Sequence, residues 1–416
     1  MKMVRSPLGR IRKMDEISTK EKMNGTEGQK KVKKEAGSRF WRLVIILAAA
    51  TGILNLLACV RPFCDLYKRT VYGVISDCLG MLTGWIPVAI GELLMYLGAL
   101  VLTLFLITLI LLLFLGKREG YRRFCKGYAK GILLTLVIFL FVYTLNWIIP
   151  FRGSILQVTG AVERGYTLEE VGKVRDTIVE MVNACALLVE RDGDGKVIYD
   201  HKSIDQAVFT AMKAQAGEYP LLSGYYPPIK TALCSDFLDW MDIGGYTYPY
   251  TMEITWNQYC NDLYYPFLLA HESSHHQGYY QENEANFLAF LACIRSEDPL
   301  VRYAGYNEMY YYINNAYYET AYDILGPEGA DADEEKRPQI SELVRQDRRD
   351  AREASIIKYE STSHPAQNLA MTASEVADVG WTVQGDILQE NSYDGVVKMV
   401  LQYYDSRKET DGVVND

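Results

Sequence analysis

The sequence predicts a mainly α protein (α+β), in which three membrane-spanning helices at the N-terminus precede a larger, mostly helical domain with a small β-sheet. Two observations support this prediction: three long apolar stretches near the N-terminus and a separation of charge along the 416-residue chain. Residues 1–42 hold 13 Lys and Arg against 5 Asp and Glu, whereas residues 131–416 hold 21 against 43. Charge sorted this way is typical of membrane proteins, and the acidic part is a poor match for nucleic acid.

Each apolar stretch is long enough to cross a bilayer. The three cover residues 43–60, 92–116 and 131–150, and each supplies roughly the 18 or more residues that a hydrocarbon core of about 30 Å requires. Uncharged runs this rich in Leu, Ile and Phe would find no partner surface of matching size in a soluble domain. We therefore predict three transmembrane helices within a membrane region, 43–150, the first of them an anchor and not a cleaved signal peptide.

The distribution of positive charge predicts the orientation of these helices. The tail, 1–42, is basic, and the loop 117–130 carries six Lys and Arg against Glu119 alone. Under the positive-inside rule, both face the cytoplasm. Three crossings then leave 151–416 as an extracytoplasmic domain of a multi-pass cell-membrane protein, with the segment 71–91 along the outer surface.

Local sequence patterns predict the elements of the outer domain. A stretch rich in Tyr, Thr and Ile, 244–257, predicts a strand or an extended pair. Apolar periodicity and capping residues predict helices at 164–190 (with a capping box at Thr167 and Glu170), at 203–216, from Pro266 to about Gln277, at 281–295, over 308–325 and within 335–360.

Three of the five histidines lie within six positions, in "HESSHH" at 271–276. His271 and His275 are four residues apart, so on a helix they lie one above the other on one face. Two imidazole nitrogens placed this way can bind one tetrahedral zinc ion at about 2.0–2.1 Å. Glu272 points roughly 100° away, where it can reach a metal-bound water as a general base without being a ligand. The pattern is H-E-x-x-H, and His276 is expected to be a polar surface residue.

A third ligand is expected shortly after this helix. Gln281 occupies the position of the third histidine in the metzincin spacing, and an amide is a poor zinc ligand, which excludes that class. Glu282 begins the next predicted helix after a glycine turn, and Asn286 lies one turn beyond it, placed to hydrogen-bond the outer nitrogen of a ligand histidine. Glu284 is the alternative ligand. The alternative for either glutamate is a purely structural role, because negative charge is favourable near the positive, N-terminal end of a helix dipole.

Several motifs together carry a resemblance to known families. "HESSH" followed by "ENEAN" resembles the gluzincin pattern, in which a following helix supplies the third ligand from E-x-x-A-D/N. More narrowly, the whole chain resembles an uncharacterised bacterial family with N-terminal membrane spans, a domain of unknown function. Besides the histidine cluster, the matching stretches are "PYTMEITWN" at 249–257, "RYAGY" at 302–306 and "NSYDGVVKMVLQYY" at 391–404.

This resemblance implies a gluzincin-like extracytoplasmic domain and a membrane-anchored zinc metallopeptidase. His271, His275 and Glu282 would be the zinc ligands and Glu272 the catalytic base. The implied substrate is a peptide or protein of the cell envelope, without further detail. The alternative is a non-catalytic, metal-binding sensory or scaffold protein of the cell envelope that retains the fold; the intact Glu272 favours the enzyme because a ligand-only role does not need it.

Two further features are expected of a gluzincin-like site. An edge strand before the zinc helix aligns the substrate backbone in such sites, and 249–257 is placed to serve. A Tyr or His usually stabilises the oxyanion. Tyr303, Tyr306 and His364 are candidates, and the alternative for each is a core ring with a satisfied polar group.

Overall fold

The computed structural model describes residues 38–362 and 392–413, most of them helical. Part of the predicted basic tail and His364 lie outside the described residues. The helices are α1 Ser38–Leu57, α2 Arg61–Tyr67, α3 Gly73–Gly84, α4 Ile90–Leu115, α5 Glu119–Tyr143, α6 Ile149–Phe151, α7 Leu168–Ala186, α8 His201–Ala214, α9 Ser235–Trp240, α10 Tyr265–His276, α11 Glu282–Arg295, α12 Pro299–Glu334, α13 Glu342–Glu360 and α14 Ser392–Val413. Single π-helical turns at Lys68–Tyr72 and Thr144–Ile148 join α2 to α3 and α5 to α6.

Three helical stretches are long and apolar enough to cross a membrane, as predicted: Ser38–Leu57, Ile90–Leu115 and Glu119–Phe151. The first two differ from the predicted spans by a few residues. The third begins at Glu119 because the basic stretch predicted as a loop is helical. Lys and Arg lose little side-chain freedom in a helix, and they favour the helix here despite Gly120 and Gly127.

Contacts between residues divide the described chain into two units. One unit holds residues 38–56 and 108–141. The other holds residues 57–107 together with everything described from 142 onward, and the candidate site described below belongs to it. The boundary predicted between a membrane region and an outer domain at 150 stays a prediction.

The chain between the first two spans forms helices with two different faces. We call residues 61–88, which include α2 and α3, the interspan segment. Its inward face includes buried Tyr72 and Ser76. Its exposed side chains are mostly apolar and include Leu66, Val71, Val74, Met81, Leu82 and Trp85. Arg61, Arg69 and Thr70 are exposed as well.

A small sheet has three strands: β1 Lys230–Thr231, β2 Gly245–Tyr248 and β3 Glu253–Trp256. β2 pairs antiparallel with β3 from Gly245 opposite Trp256 to Tyr248 opposite Glu253, and β1 pairs parallel on the other side of β3. The predicted extended pair at 244–257 is confirmed. The expectation that 249–257 supplies an edge strand is wrong, because β3 is central. The edge strand next to it is β2.

Helices α10 and α11 form the centre of the second unit. Every residue of α10 is buried, and so is every residue of α11 from Glu284 to Cys293. Ala285 and Ala289 are fully buried, and their small size permits the close packing of α11 against α10. α10 also packs against α8, α12 and the sheet. A helix that buries "HESSHH" must supply partners for its polar groups, because unpaired buried polar groups are costly.

Two of the remaining helices illustrate how local signals set helix ends. The capping box predicted at the start of α7 is confirmed, since the Thr167 side chain and Glu170 bond reciprocally. α12 starts earlier than the predicted 308, because the Asp298 carboxylate caps its first turn and Pro299 follows. The same helix is interrupted at Gly326, whose φ is +74°.

Candidate metal centre

A glycine turn brings the two halves of the candidate site together. α10 ends at His276, and the Gly278 N–H donates to the His275 carbonyl at 3.0 Å. Gly278 has φ +98°, a conformation that costs other residues strain, and a Cβ here would lie 2.9 Å from the Tyr72 ring. The chain therefore reverses at this residue, so that Glu282, the first residue of α11, returns to the face of α10 that carries the histidines.

Three side chains converge on one point: His271, His275 and Glu282. The two histidine Nε2 atoms are 3.1 Å apart. Glu282 Oε2 lies 3.2 Å from Nε2 of His271, and Oε1 lies 3.4 Å from Nε2 of His275. Ligands at about 2.0–2.1 Å from a tetrahedral ion are about 3.3–3.4 Å from each other. The two imidazole nitrogens and the nearest oxygens of the Glu282 carboxylate thus lie at separations close to those between the ligands of one zinc ion, and either carboxylate oxygen can be the third ligand.

The outer ring nitrogens of both histidines are hydrogen-bonded. Nδ1 of His275 lies 2.8 Å from the Tyr279 carbonyl oxygen, which can only accept, so this nitrogen carries the proton. Nδ1 of His271 lies 2.7 Å from the amide oxygen of Asn286, at the position predicted for this asparagine. Each bond leaves the Nε2 lone pair directed at the common centre, the tautomer that a metal ligand needs.

The electrostatics of the cluster favour a bound cation. Burial opposes charge on His275, but the Glu282 carboxylate outweighs burial and raises the pKa of His275 to about 9. Burial also acts on Glu282, and the two histidines outweigh it, so the pKa of Glu282 lies well below its ordinary value. The cluster thus attracts positive charge between its three side chains, which a divalent ion supplies more fully than a proton does.

The three side chains fit a zinc ion and leave its fourth coordination position without a protein ligand. Two imidazoles and one carboxylate are a frequent ligand set for catalytic zinc, whereas structural sites use four protein ligands. The Glu282 side chain is 43% exposed, so the centre opens toward solvent. These residues would therefore hold a zinc ion with a fourth position accessible to water.

Glu272 lies beside the cluster and is held by the sheet. The Thr247 hydroxyl on β2 is 3.0 Å from Glu272 Oε2 and 2.9 Å from the Glu272 backbone oxygen. The Glu272 side chain is buried, and burial raises its pKa above the ordinary value, with His271 and His275 opposing the shift in part. A carboxyl held this way, beside the ligands but outside the cluster, is suited to proton transfer.

Glu284, the alternative ligand, lies outside the cluster. Its Oε1 accepts a 2.6 Å hydrogen bond from the Leu156 backbone N–H. Burial raises its pKa, and nearby Lys68 opposes the increase. The geometry therefore favours Glu282 over Glu284 as the third ligand.

We predict that Glu282→Gln weakens zinc binding and that Glu284→Gln leaves it unchanged. Glu282→Gln should weaken zinc binding by more than about 100-fold, because even residues behind the ligands contribute about 10–100-fold. Glu284→Gln should keep one zinc per chain, since a glutamine oxygen can still accept from Leu156. Competition with a chromophoric chelator measures both affinities. Loss of zinc in Glu284→Gln but not in Glu282→Gln would reverse the ligand assignment.

The predicted oxyanion candidates that the structure describes have structural partners. Tyr303 is fully buried, and its hydroxyl donates to Asp347 at 2.9 Å. The Tyr306 ring packs edge-on against Phe290 at 6.0 Å. Both placements favour the core alternative for these tyrosines.

Two residues near the site carried no recognisable sequence signal. Glu308 on α12 is partly buried, and desolvation raises its pKa to about 7, although Arg348 and His271 oppose the shift. The Tyr280 ring stacks on His275 at 6.0 Å, and its hydroxyl donates to the Asn146 carbonyl at 2.6 Å. Glu308 is one of several acidic residues in α12 and belongs to no recognisable motif, and the partners of Tyr280 are remote in sequence.

The prediction that His276 is a surface residue is wrong. Its side chain is fully buried, with Nδ1 3.0 Å from the Met252 carbonyl oxygen. The interspan segment covers it, and Gly80 packs directly on its ring. The Tyr72 hydroxyl, from the same segment, lies 3.0 Å from the His276 carbonyl oxygen and 3.3 Å from that of His275, at the end of α10 where helix carbonyls lack partners. The interspan segment therefore packs against the C-terminal end of α10 and covers the His276 side chain.

We predict that Gly80→Ala destabilises the protein and Gly73→Ala does not. A Cβ at Gly80 would lie 2.9 Å from Cε1 of the buried His276 ring, whereas a Cβ at Gly73 meets nothing within 4 Å. Overpacking of this kind costs about 1–3 kcal/mol, while Ala for Gly on an open helix face gains up to about 1 kcal/mol. Thermal unfolding of both full-length variants measures the difference, and equal midpoints would show that the contact does not constrain α10.

The fold and the site together define a membrane-associated, mostly helical protein with a candidate His-His-Glu metal centre. A family model described as "Protein of unknown function (DUF3810)" matches residues 67–372, and the chain belongs to this family. Membership in an uncharacterised family is thereby confirmed. The comparisons with curated proteins and with solved structures find no match. The family description assigns no activity, so an activity can be argued only from the site.

Proposed function

We propose that the chain is a membrane-anchored, zinc-dependent metallopeptidase with a gluzincin-like extracytoplasmic domain. His271, His275 and Glu282 would bind zinc, and Glu272 would act as the general base. The observation that carries the proposal is the convergence of three side chains: the Nε2 atoms of His271 and His275 are 3.1 Å apart, and the Glu282 carboxylate has one oxygen 3.2 Å from the first and the other 3.4 Å from the second, close to the ligand separations around one zinc ion. The fixed tautomers of both histidines support it.

Glu272 would carry the proton through the reaction. When bound, zinc would lower the pKa of a coordinated water to about 7 and polarise the substrate carbonyl. The Glu272 carboxylate accepts a proton from the attacking water and then donates it to the leaving amine nitrogen. The Thr247 hydroxyl, 3.0 Å from Oε2, keeps the carboxylate oriented during both transfers. Burial, which raises the Glu272 pKa, makes the carboxylate a stronger base for the first transfer.

Strand β2 is the best-placed element to align a peptide. It is an edge of the sheet, and its Thr247 contacts the proposed base directly. An extended peptide can add to such an edge through backbone hydrogen bonds, which bind substrates of varied sequence. We therefore propose β2, in place of 249–257, as the strand that holds the substrate beside Glu272.

The location of the reaction follows from the distribution of charge. The tail 1–42 is basic, as is the stretch 117–130. If both lie in the cytoplasm, the domain that carries the metal centre is extracytoplasmic and its substrates belong to the cell envelope.

Zinc content and peptide cleavage by the full-length chain in detergent test the proposal. We expect one zinc per chain, cleavage of members of a mixed peptide pool, loss of cleavage with a chelator and recovery when zinc is restored. Stoichiometric zinc without cleavage of any peptide would favour a sensory or scaffold protein. Unfolding upon chelation, instead of mere inactivation, would indicate a structural zinc.

A further inference from the structure

The metal centre is connected to the ends of two spans and to the interspan segment. We propose that it lies at the membrane surface and that its substrates are the membrane-proximal stretches of proteins that are themselves anchored in the bilayer. This inference rests on the proposed peptidase function. Three sets of contacts and one exposed apolar face support it.

The end of the third span reaches the site through one aromatic ring. Trp147 stacks on Tyr143 at 6.2 Å and on Phe151 at 6.5 Å. Its ring also meets Tyr280 edge-on at 4.6 Å, and Tyr280 in turn stacks on the ligand His275 at 6.0 Å. Aromatic rings at the end of a span lie at the level of the lipid headgroups. A single side chain, that of Tyr280, therefore separates the ligand His275 from the aromatic rings at that level.

The last turn of the same span is hydrogen-bonded to both sides of the site. The Asn146 side chain donates to the Pro249 carbonyl at 2.7 Å, in the connection between β2 and β3. Its backbone carbonyl accepts from Tyr280, in the turn between α10 and α11. Asn146 is buried, so these bonds are shielded from water. They join the end of the span to the two chain segments that flank the site.

The start of the second span is bound to the sheet. The Glu253 carboxylate accepts from the Ile90 N–H at 3.0 Å and from the Gly91 N–H at 2.7 Å, the first amides of α4. Buried Glu92 accepts from the Leu233 N–H at 2.6 Å and from the Tyr246 hydroxyl on β2 at 2.8 Å. The proposed substrate strand thus lies at the point where α4 leaves the sheet for the bilayer.

The interspan segment has the composition of a helix that lies in the bilayer surface. It is joined to α1 through residues 58–60 and to α4 through residue 89, so both ends are held close to spans. Its outward face exposes Leu82, which is 70% exposed, and Trp85, which is 89% exposed. We assign the lipid bilayer as the occupant of this face, because its exposed side chains are mostly apolar and both ends of the segment are joined along the chain to apolar spans.

These contacts restrict which peptide bonds can reach the centre. The bilayer covers one side of the site, and extended chain advances about 3.4 Å per residue. A substrate that emerges from the bilayer therefore arrives at the centre after a few residues. A bond far from the membrane must instead return toward the surface against the cost of closing a longer loop.

Distance-graded substrates test the inference in liposomes that contain the full-length chain. One sequence that the chain cleaves in the peptide pool is placed 5, 10, 20 or 40 residues after a single membrane-spanning helix, with the same flexible spacer repeated. We expect cleavage to be about 20-fold faster at 5 residues, and about eightfold faster at 10 residues, than at 40. Equal rates at all distances would overturn the membrane-surface inference and leave the peptidase proposal intact. Absence of cleavage in every arm, and in the free peptide, would overturn the peptidase proposal and this inference with it.

A second readout does not depend on activity. The chain is loaded with Cu²⁺ in nanodiscs whose lipids carry a nitroxide either on the headgroup or near the end of an acyl chain, about 15 Å deeper. We expect the ion to enhance the relaxation of the headgroup label more than that of the deep label. His275→Ala, which lacks one ligand, sets the background. Enhancement of neither label above this background, with Cu²⁺ bound to the wild type, would place the centre away from the membrane and overturn the inference.

Discussion

Glu272→Gln is expected to abolish detectable peptide cleavage while one zinc per chain remains bound. The amide has nearly the same shape and can still accept from the Thr247 hydroxyl, so the cluster of His271, His275 and Glu282 should not change. It cannot accept a proton, and a positioned general base contributes about 10²–10⁴-fold to the rate. The rate of peptide cleavage and the zinc content, measured on the same sample, test the two parts of this prediction.

Glu284→Gln is the matched control for this experiment. It makes the same chemical change at a buried glutamate of the neighbouring helix, whose carboxylate is bound to Leu156 and lies outside the cluster. Its cleavage rate should stay within a few-fold of wild type. A rate for Glu272→Gln within tenfold of wild type would contradict the assignment of Glu272 as the base, whatever the zinc content.

Glu253→Gln is expected to cause the largest loss of stability. Glu253 and Lys230 are both buried and pair with each other. The Lys230 ammonium also donates to the Thr83 carbonyl at 2.9 Å, and the Thr251 hydroxyl donates to Glu253 at 2.6 Å. Removing one partner of a buried pair costs about 3–5 kcal/mol, because the other charge stays buried without compensation. Thermal unfolding of the full-length chain in detergent measures the loss.

The double variant Lys230→Met/Glu253→Gln is the control, since removing both charges together is often nearly neutral. It should regain much of the stability that the single variant loses. A single variant as stable as wild type would show that the pair does not hold the sheet to the second span.

Acid should have a related effect through Glu253. Burial opposes its ionisation, but Lys230, Thr251 and two backbone amides outweigh burial and lower its pKa below 4.5. A lowered folded-state pKa gives a contribution that is complete above the unfolded value and declines as pH falls through the folded value. Wild type should therefore lose stability below about pH 4.5, and Glu253→Gln should lose less over the same range.

The elements that sequence predicted well are those defined by neighbours in the chain. Zinc-ligand spacing in H-E-x-x-H depends on a helical repeat of about 3.6 residues, and Pro266 and Gly278 mark the two ends of that helix. The approach of Glu282 could be predicted because one glycine turn separates it from His275. The spans could be predicted because length and apolar composition alone define them.

The features that sequence missed depend on partners far along the chain. Strand β1 has two residues and shows no alternation, so only its pairing with β3 defines it. The burial of His276 depends on Gly80, almost 200 positions earlier. The edge position of β2 likewise follows from which strand takes the middle of the sheet. All three features depend on tertiary packing, which cannot be predicted from local sequence patterns.

X-ray absorption at the zinc edge, measured on the zinc-loaded full-length chain, tests the central claim most directly. We predict two imidazole nitrogens and one carboxylate oxygen at about 2.0–2.2 Å, a fourth light ligand from solvent and no sulfur at about 2.3 Å. Glu282→Gln should lose this spectrum, and Glu284→Gln should retain it. A sulfur ligand, or an unchanged spectrum in Glu282→Gln, would contradict a centre built from His271, His275 and Glu282.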